Sequence, residues 1–301
     1  MAGLKTIKLK IRSVEKTRKV TKAMEAVSAS KMRKSQAKAL SGRAYARAAV
    51  SILARVSGAR ELATHPMTQI RPIKKTLYIV ITSDKGLAGA LNSSVLRAVW
   101  VDIQKSAGKA SVIAVGRKAN DFFSAREIKV EAYHPNTDEV SSQLIDQLVA
   151  ESAEHFTSGA VDVVKIAYQN FISTFEQRST MRTVFPLSLE ELERVVEDIK
   201  YMRTPGQKNG NGKNPSTYTV EPSEHEVFAA ILPRLASIFV YHALLETQAS
   251  EHSARMVAMK SASDKAGEMT DALTLQFNKA RQAAITREVS EITGGMEAMS
   301  V

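Results

Sequence analysis

From Gly3 to about Glu61 the chain contains no proline, and its apolar residues recur at helical spacing. Leu4, Ile7, Ile11 and Val14 stand three and four apart. The stripe then drifts to Val20, Met24 and Val27, and later to Ala37, Leu40, Ala44 and Val50. This predicts one helix of roughly 55 residues, on the order of 80 Å long. The helix is also very basic. Residues 1–60 hold 16 Lys or Arg against two acids, Glu15 and Glu25, a net +14, so the other 241 residues sum to −3 of the chain's +11. In "TRKVTKAMEAVSASKMRKSQAKA" (Thr17–Ala39) cations nearly surround the helix. So positive a surface attracts nucleic acid, anionic lipid or an acidic protein.

The other end of the chain repeats the theme. Pro233 is expected to kink a second long helix near its start. A seam then runs Leu235, Ile238, His242, Leu245, Ala249, His252, Met256 and Met259. It continues through Ser263, Ala266, Thr270, Leu273, Phe277, Ala280 and Ala284. The spacing alternates three and four without a break, as in a coiled coil, yet most seam residues are small, polar or Met. Gly294-Gly295 is expected to end the pattern, about 90 Å from Pro233. Antiparallel pairing of the two helices would bury both stripes.

Between them the period changes. Strands are expected in "TLYIVITSD", "SVIAVG", "KVEAYH", "VDVVKIAYQNF" and "QRSTMRTVFPL". Helices are expected over Leu87–Lys105, Arg117–Ser124 and Ser141–Ser158. This alternation predicts a Rossmann-like α/β domain with a partly parallel sheet. The expected organisation is an N-terminal helix (1–62), an α/β domain (75–187), a connector (188–221) and a C-terminal helix (222–301). The expected whole is a rod of two helices with the α/β domain on its side. Within the connector, "TPGQKNGNGKNPST" has the composition of a mobile loop.

Several chemistries are excluded or unsupported. The chain has no cysteine, which removes disulfides, thiolate catalysis and Cys-based metal sites. The six histidines show no metal-ligand spacing, so no metal and no cofactor is expected. "MAGLKTIKLKIRS" lacks the apolar core of a secretory signal. "FAAILPRLASIFVYHALL" is interrupted by Pro233, Arg234 and His242, so no direct membrane span is expected. "SDKGLAGALN" (Ser83–Asn92) follows a strand and opens a helix, but lacks both the phosphate-loop and the dinucleotide patterns. It reads as a structural turn, with an anion site as the alternative. The basic helix keeps three readings: a solvated face, a nucleic-acid binder, or a shaft inside an acidic protein collar.

"KVTKAMEAVSASKMRKSQ", "SDKGLAGALN", "ASEHSARMVAMKSASDKA" and "LTLQFNKARQAAITREVSEITGGMEA" resemble, in order and over nearly the whole chain, the gamma subunit of F-type ATP synthases. The last fits that family's closing signature of Ile285-Thr286, Glu288, Glu291 and Gly295, with Met296 where alanine is usual. The resemblance implies a non-catalytic rotor shaft, an antiparallel coiled coil turning inside a ring of alpha and beta subunits whose beta subunits carry catalysis. Implied partners are the alpha and beta subunits, the epsilon and delta subunits and the c-ring, and not nucleic acid. Proton flow through the c-ring would drive ATP synthesis. By motif match, Arg281 and Gln282 would meet a beta-subunit catch loop. Met24 and Arg255 would lie in segments coupling rotation to catalysis. Tyr218, Glu221 and Pro222 would form the foot on the c-ring. The absence of cysteine rules out the redox switch of the chloroplast form, and a start at the family helix fits a bacterial protein on the cytoplasmic face of the inner membrane. Two other classes stay open: a basic coiled-coil nucleic-acid binder, and an α/β enzyme using Ser83–Asn92.

Overall fold

The computed structural model describes residues 2–56, 65–106, 108–137, 139–188 and 223–299, with side chains at 2–3, 39–56, 224–225, 294–295 and 297–299 outside that description. The elements are α1 (Ala2–Val56), a 3-10 turn (Pro66–Thr68), β1 (Lys75–Ile81), α2 (Leu91–Lys105), β2 (Lys109–Val115), α3 (Arg117–Ser124), β3 (Lys129–His134), α4 (Ser142–Thr157), β4 (Val163–Phe171), β5 (Gln177–Phe185) and α5 (Glu224–Met299). Two compact units emerge: residues 1–29 with 255–301, and residues 30–254. Both long helices are divided between the two.

The larger unit is built on a five-stranded sheet of order β3-β2-β1-β4-β5. β1 pairs in parallel with β2 and β4, and β2 with β3, while β5 returns antiparallel to β4. β1 is buried at six of its seven residues, which explains its unbroken apolar run: both faces of the sheet are covered. On one face Tyr78, Val80 and Val112 pack with Val95, Val99 and Phe123 of α2 and α3. On the other Ile79, Ile113 and Ile166 pack with Leu148 and Phe156 of α4 and with Phe228, Leu232, Leu235, Phe239 and Leu244 of α5.

That last contact explains a compositional ambiguity. By length and hydropathy α5 holds a window apolar enough to cross a membrane. Its apolar residues are instead spent in the core, where Leu232, Ala236 and Val240 are wholly inaccessible. Pro233 lies inside α5 without ending it.

The strands and helices fall close to where the sequence places them, with differences at the ends. α2 begins at Leu91 rather than Leu87, because Leu87 (φ 64°) and Gly89 (φ 58°) adopt left-handed backbone that a right-handed helix cannot continue. α5 runs through Gly294-Gly295 to Met299. Each helical glycine costs only about 1 kcal/mol, too little to stop a helix alone.

In the smaller unit α1 and α5 run antiparallel. A Cβ built on Gly267 would sit 3.4 Å from the Arg18 guanidinium carbon. Farther along, Lys22 and Ala23 share a groove with Ser263 and Asp264, so numbers rise on one helix as they fall on the other. The α5 seam is as the spacing predicts. Met259, Ser263 and Ala266 are buried, and Thr270, Leu273, Phe277, Ala280 and Ala284 are half-buried among exposed neighbours. The α1 stripe differs. Val20 and Val27 are 58% and 55% exposed, whereas Thr21, Ser28 and Ser35 are buried. The half-buried Ile7 and Val14 and the buried Thr21 and Ser28 follow one another at seven-residue intervals, so this line turns from apolar to small and polar after Val14. Following the valines therefore leads off the face.

Candidate partner-binding surfaces

Lys5, Lys8, Lys10, Arg12, Lys16 and Lys19 are all exposed on α1. Their placement is on the side away from the seam, which is held by small or apolar side chains such as Ile7, Ile11, Val14, Thr21 and Ser28. Lys22 pairs with Glu25 at 3.3 Å. The outer face of α1 is thus strongly basic, while the outer face of α5 mixes cations such as Lys260, Lys265 and Lys279 with acids such as Asp264, Glu268 and Asp271.

Arg281 and Gln282 are adjacent and exposed on α5. Extending the register set by Arg18 and Gly267 brings them beside the first turns of α1. Met24 is half-buried. Arg255 is buried, at 8% exposure, so whatever it does it does from inside the structure. The same register puts Met24 and Arg255 within two turns of each other along the pair, and Arg281 and Gln282 far from both. Tyr218, Glu221 and Pro222 lie outside the described residues, as does the loop 203–217.

One surface was missed by sequence reasoning. Beyond Ala284 every described side chain of α5 is exposed. There Ile285, Val289, Ile292 and Met296, spaced four, three and four, are 52%, 56%, 65% and 69% exposed. That spacing makes one apolar stripe on the helix tip.

The turn Ser83–Asn92 is held by its own side chains. The Ser83 amide donates to Asn92 Oδ1 at 3.0 Å, and Asn92 Nδ2 donates to Ser83 Oγ at 2.8 Å. Gln169, at the carboxyl end of β4, donates from Nε2 to the Leu91 carbonyl at 2.7 Å and also to Ser94 Oγ. α5 completes this corner. Thr247 Oγ1 accepts from the Gln169 amide at 3.3 Å, and Ser250 Oγ donates to the Gln169 carbonyl at 3.2 Å. Glu246, only 2% exposed, accepts from the Phe171 amide at 2.9 Å and lies 3.5 Å from His242 Nε2. Ser253 Oγ donates to the Thr174 carbonyl at 2.7 Å, and Gln248 Nε2 to the Thr137 carbonyl at 2.8 Å.

Two histidines serve local structure. His65 Nδ1 accepts from the Met67 amide at 3.2 Å and caps the 3-10 turn, and His134 Nε2 lies 2.9 Å from Glu151. Among the described residues no cluster of three or more His, Asp or Glu could hold a metal ion. A polar triad joins the buried Tyr78 of β1 to the part-exposed Asp102 of α2 and Lys165 of β4. Tyr78 donates to Asp102 at 2.8 Å, and Lys165 to the same oxygen at 2.7 Å. Burial pushes the Tyr78 phenol well above its ordinary value, and Asp102 adds to this. Burial also pushes the Asp102 carboxyl upward, but hydrogen bonds from Lys165 and Tyr78 outweigh it and hold the group below the usual carboxylate value.

Comparison with known proteins agrees with this architecture. A family model described as ATP synthase matches residues 3–299. An ATP synthase gamma chain of Exiguobacterium sp. is 37% identical over 303 residues, covering 99% of this chain and 100% of that protein. One of Heliobacterium modesticaldum is 37% identical over 300 residues, with the same coverage. Among solved structures, the central stalk/c-ring of the Tetrahymena thermophila mitochondrial ATP synthase superposes with a TM-score of 0.62 at 25% identity, over 81% of this chain and 99% of that one. A chain of the Euglena gracilis mitochondrial ATP synthase OSCP/F1/c-ring assembly gives 0.66 at 20% identity, over 99% and 95%. A match along the full length, at this identity and with this fold, is one of common descent: the chain belongs to the ATP synthase gamma chain family.

Proposed function

We propose that this chain is the central rotor shaft of a proton-translocating ATP synthase, a non-catalytic subunit on the cytoplasmic face of a bacterial inner membrane. The observation that carries the reading is the division of the helix pair into a thin inner seam and a polar, charged exterior that is strongly basic along α1. A shaft that turns inside a ring passes repeatedly through equivalent positions. Each would become a trap if release exposed large apolar areas, at about 25 cal/mol per Å². Lysines and arginines on long, hydrated stems meet an acidic collar through contacts that exchange readily with water. At the end of α5 the exposed stripe from Ile285 to Met296 offers a narrow apolar bearing surface, coaxial with the helix, where area is small.

In this reading the shaft works by differential binding. Each orientation favours one conformation of a neighbouring beta subunit, and rotation changes which subunit is favoured. Nucleotide chemistry then belongs to the beta subunits. Arg281 and Gln282 would meet a beta-subunit loop, a reading supported by their exposure where α5 lies beside the start of α1. Tyr218, Glu221 and Pro222 would meet the c-ring. Met24 and Arg255 lie within the seam region and would act through the packing of the pair.

The test is isolation of the tagged chain from solubilised membranes, followed by assay for MgATP hydrolysis and analysis of co-purifying subunits. Hydrolysis with alpha, beta, epsilon and c subunits is expected. The basic face of α1 also motivates a nucleic-acid reading. Elution of the chain with nucleic acid, in binding that falls steeply with log salt, would replace the rotor reading with that one.

A further inference from the structure

In doubly wound sheets, ligands settle in the crevice outside the carboxyl ends of the strands, where successive connections part to opposite faces. In this sheet order that place lies between β1 and β4. Here the chain fills it itself. Gln169 closes it from the strand side, and α5 lays a polar row across it.

Two kinds of contact hold α5 to the sheet, and they differ in what they resist. Upstream, Phe228, Leu232, Leu235, Phe239 and Leu244 bury apolar surface. Such burial opposes separation but has no preferred direction, so it opposes twisting and sliding only weakly. Downstream the contact changes character. Glu246, Thr247, Ser250 and Ser253 are each at most 2% exposed, and each makes a hydrogen bond to a backbone group of Gln169, Phe171 or Thr174. Hydrogen bonds demand both distance and angle. A shift of the helix by one residue would break all four at once, and would cost the Phe171 amide its carboxylate acceptor, a charge-assisted bond stronger than a neutral one. The row therefore fixes the rotational and axial register of the helix.

We propose that Glu246, Thr247, Ser250 and Ser253 form a register lock that carries torque between the α/β domain and the shaft helix. This rests on the rotor reading. The four are positioning residues: they touch no nucleotide and act through the angle at which α5 is held. An unloaded shaft needs little of this stiffness. A shaft turning against a proton gradient needs all of it, because load that exceeds the joint's resistance becomes slip.

The test uses the assembled complex in sealed vesicles, with the triple variant Thr247→Val, Ser250→Ala, Ser253→Ala. With the gradient collapsed by an uncoupler, ATP hydrolysis is expected to stay near the parent rate. Acidification per ATP hydrolysed, and ATP synthesis, are expected to fall about tenfold, the scale of one or two net hydrogen bonds lost from the joint. Unchanged acidification per ATP would overturn the lock. So would a proportional fall in hydrolysis and pumping, or loss of the chain from the complex, since packing alone accounts for either. Glu246 supplies a second arm. Glu246→Gln keeps an acceptor for the Phe171 amide and is expected to pump, whereas Glu246→Ala is expected to slip; equal behaviour of the two overturns the hydrogen-bond basis. Failure of the rotor reading looks different: the unsubstituted chain would then form no pumping complex.

Discussion

Single residues fix this fold at points where chemistry leaves little choice. Gly116 adopts φ 91°, and a Cβ there would lie 2.2 Å from the Thr82 carbonyl oxygen. Gly116→Ala combines left-handed strain with a backbone clash. It is expected to cost about 2–4 kcal/mol, read as a lowered urea midpoint. Asp102 makes a different prediction. Its folded carboxyl titrates below the ordinary value, so its contribution is fully present above about pH 4 and drains away as pH falls through the lower folded value. Asp102→Asn should remove that acid limb and cost about 1 kcal/mol at neutral pH, a modest figure because the group is part-exposed. A pH-stability profile unchanged by the substitution would contradict it. Roles at this scale were the least legible in the sequence. Glu246 reads there as one more helical glutamate. Its burial against the Phe171 amide depends on a strand end 75 residues away. Arg281 and Gln282 are singled out by motif alone, and the structure adds that they are exposed and lie beside the first turns of α1.

Elements were far more legible, for physical reasons. The strands announce themselves because burial on both faces demands unbroken apolar runs, as in β1. The α5 seam was readable because its three-four spacing never breaks, even where the residues are Ser, Thr or Ala. The α1 seam was not, because Val20 and Val27 offered a greasier path than the buried Thr21 and Ser28. Periodicity is the sounder guide where a helix pair packs tightly on small residues. The same tightness yields a prediction. Ser263 is buried beside α1, so Ser263→Leu overpacks the seam and should destabilise the helix pair by about 1–3 kcal/mol. Ser263→Ala should be nearly neutral. The check is the far-ultraviolet dichroism melt of both. At the tip, Val289→Asp puts charge on the exposed stripe without touching the pair. It should leave that melt unchanged yet weaken assembly with the ring if the stripe is a bearing.

At the scale of the whole chain, charge and fold divide the labour. The first 60 residues hold a net +14 while the remainder is slightly acidic, so the sheet-based unit contributes packing and the basic helix contributes attraction. Replacing Arg281 and Gln282 together by Ala is expected to weaken engagement with the ring roughly tenfold, the scale of a truncated interfacial arginine, without changing the helix content of the free chain. Assembly measured at rising subunit concentration separates that effect from misfolding. The chain's only tryptophan, Trp100, stands edge-on to Phe122 at 6.3 Å, between α2 and α3. Its fluorescence therefore watches one side of the sheet and is blind to the paired helices, while circular dichroism is dominated by them. An unfolding titration followed by both signals becomes a two-channel recording from an unlabelled protein. Coincident curves would mean the shaft and the sheet melt as one body, and separated curves would measure how much stability each holds on its own.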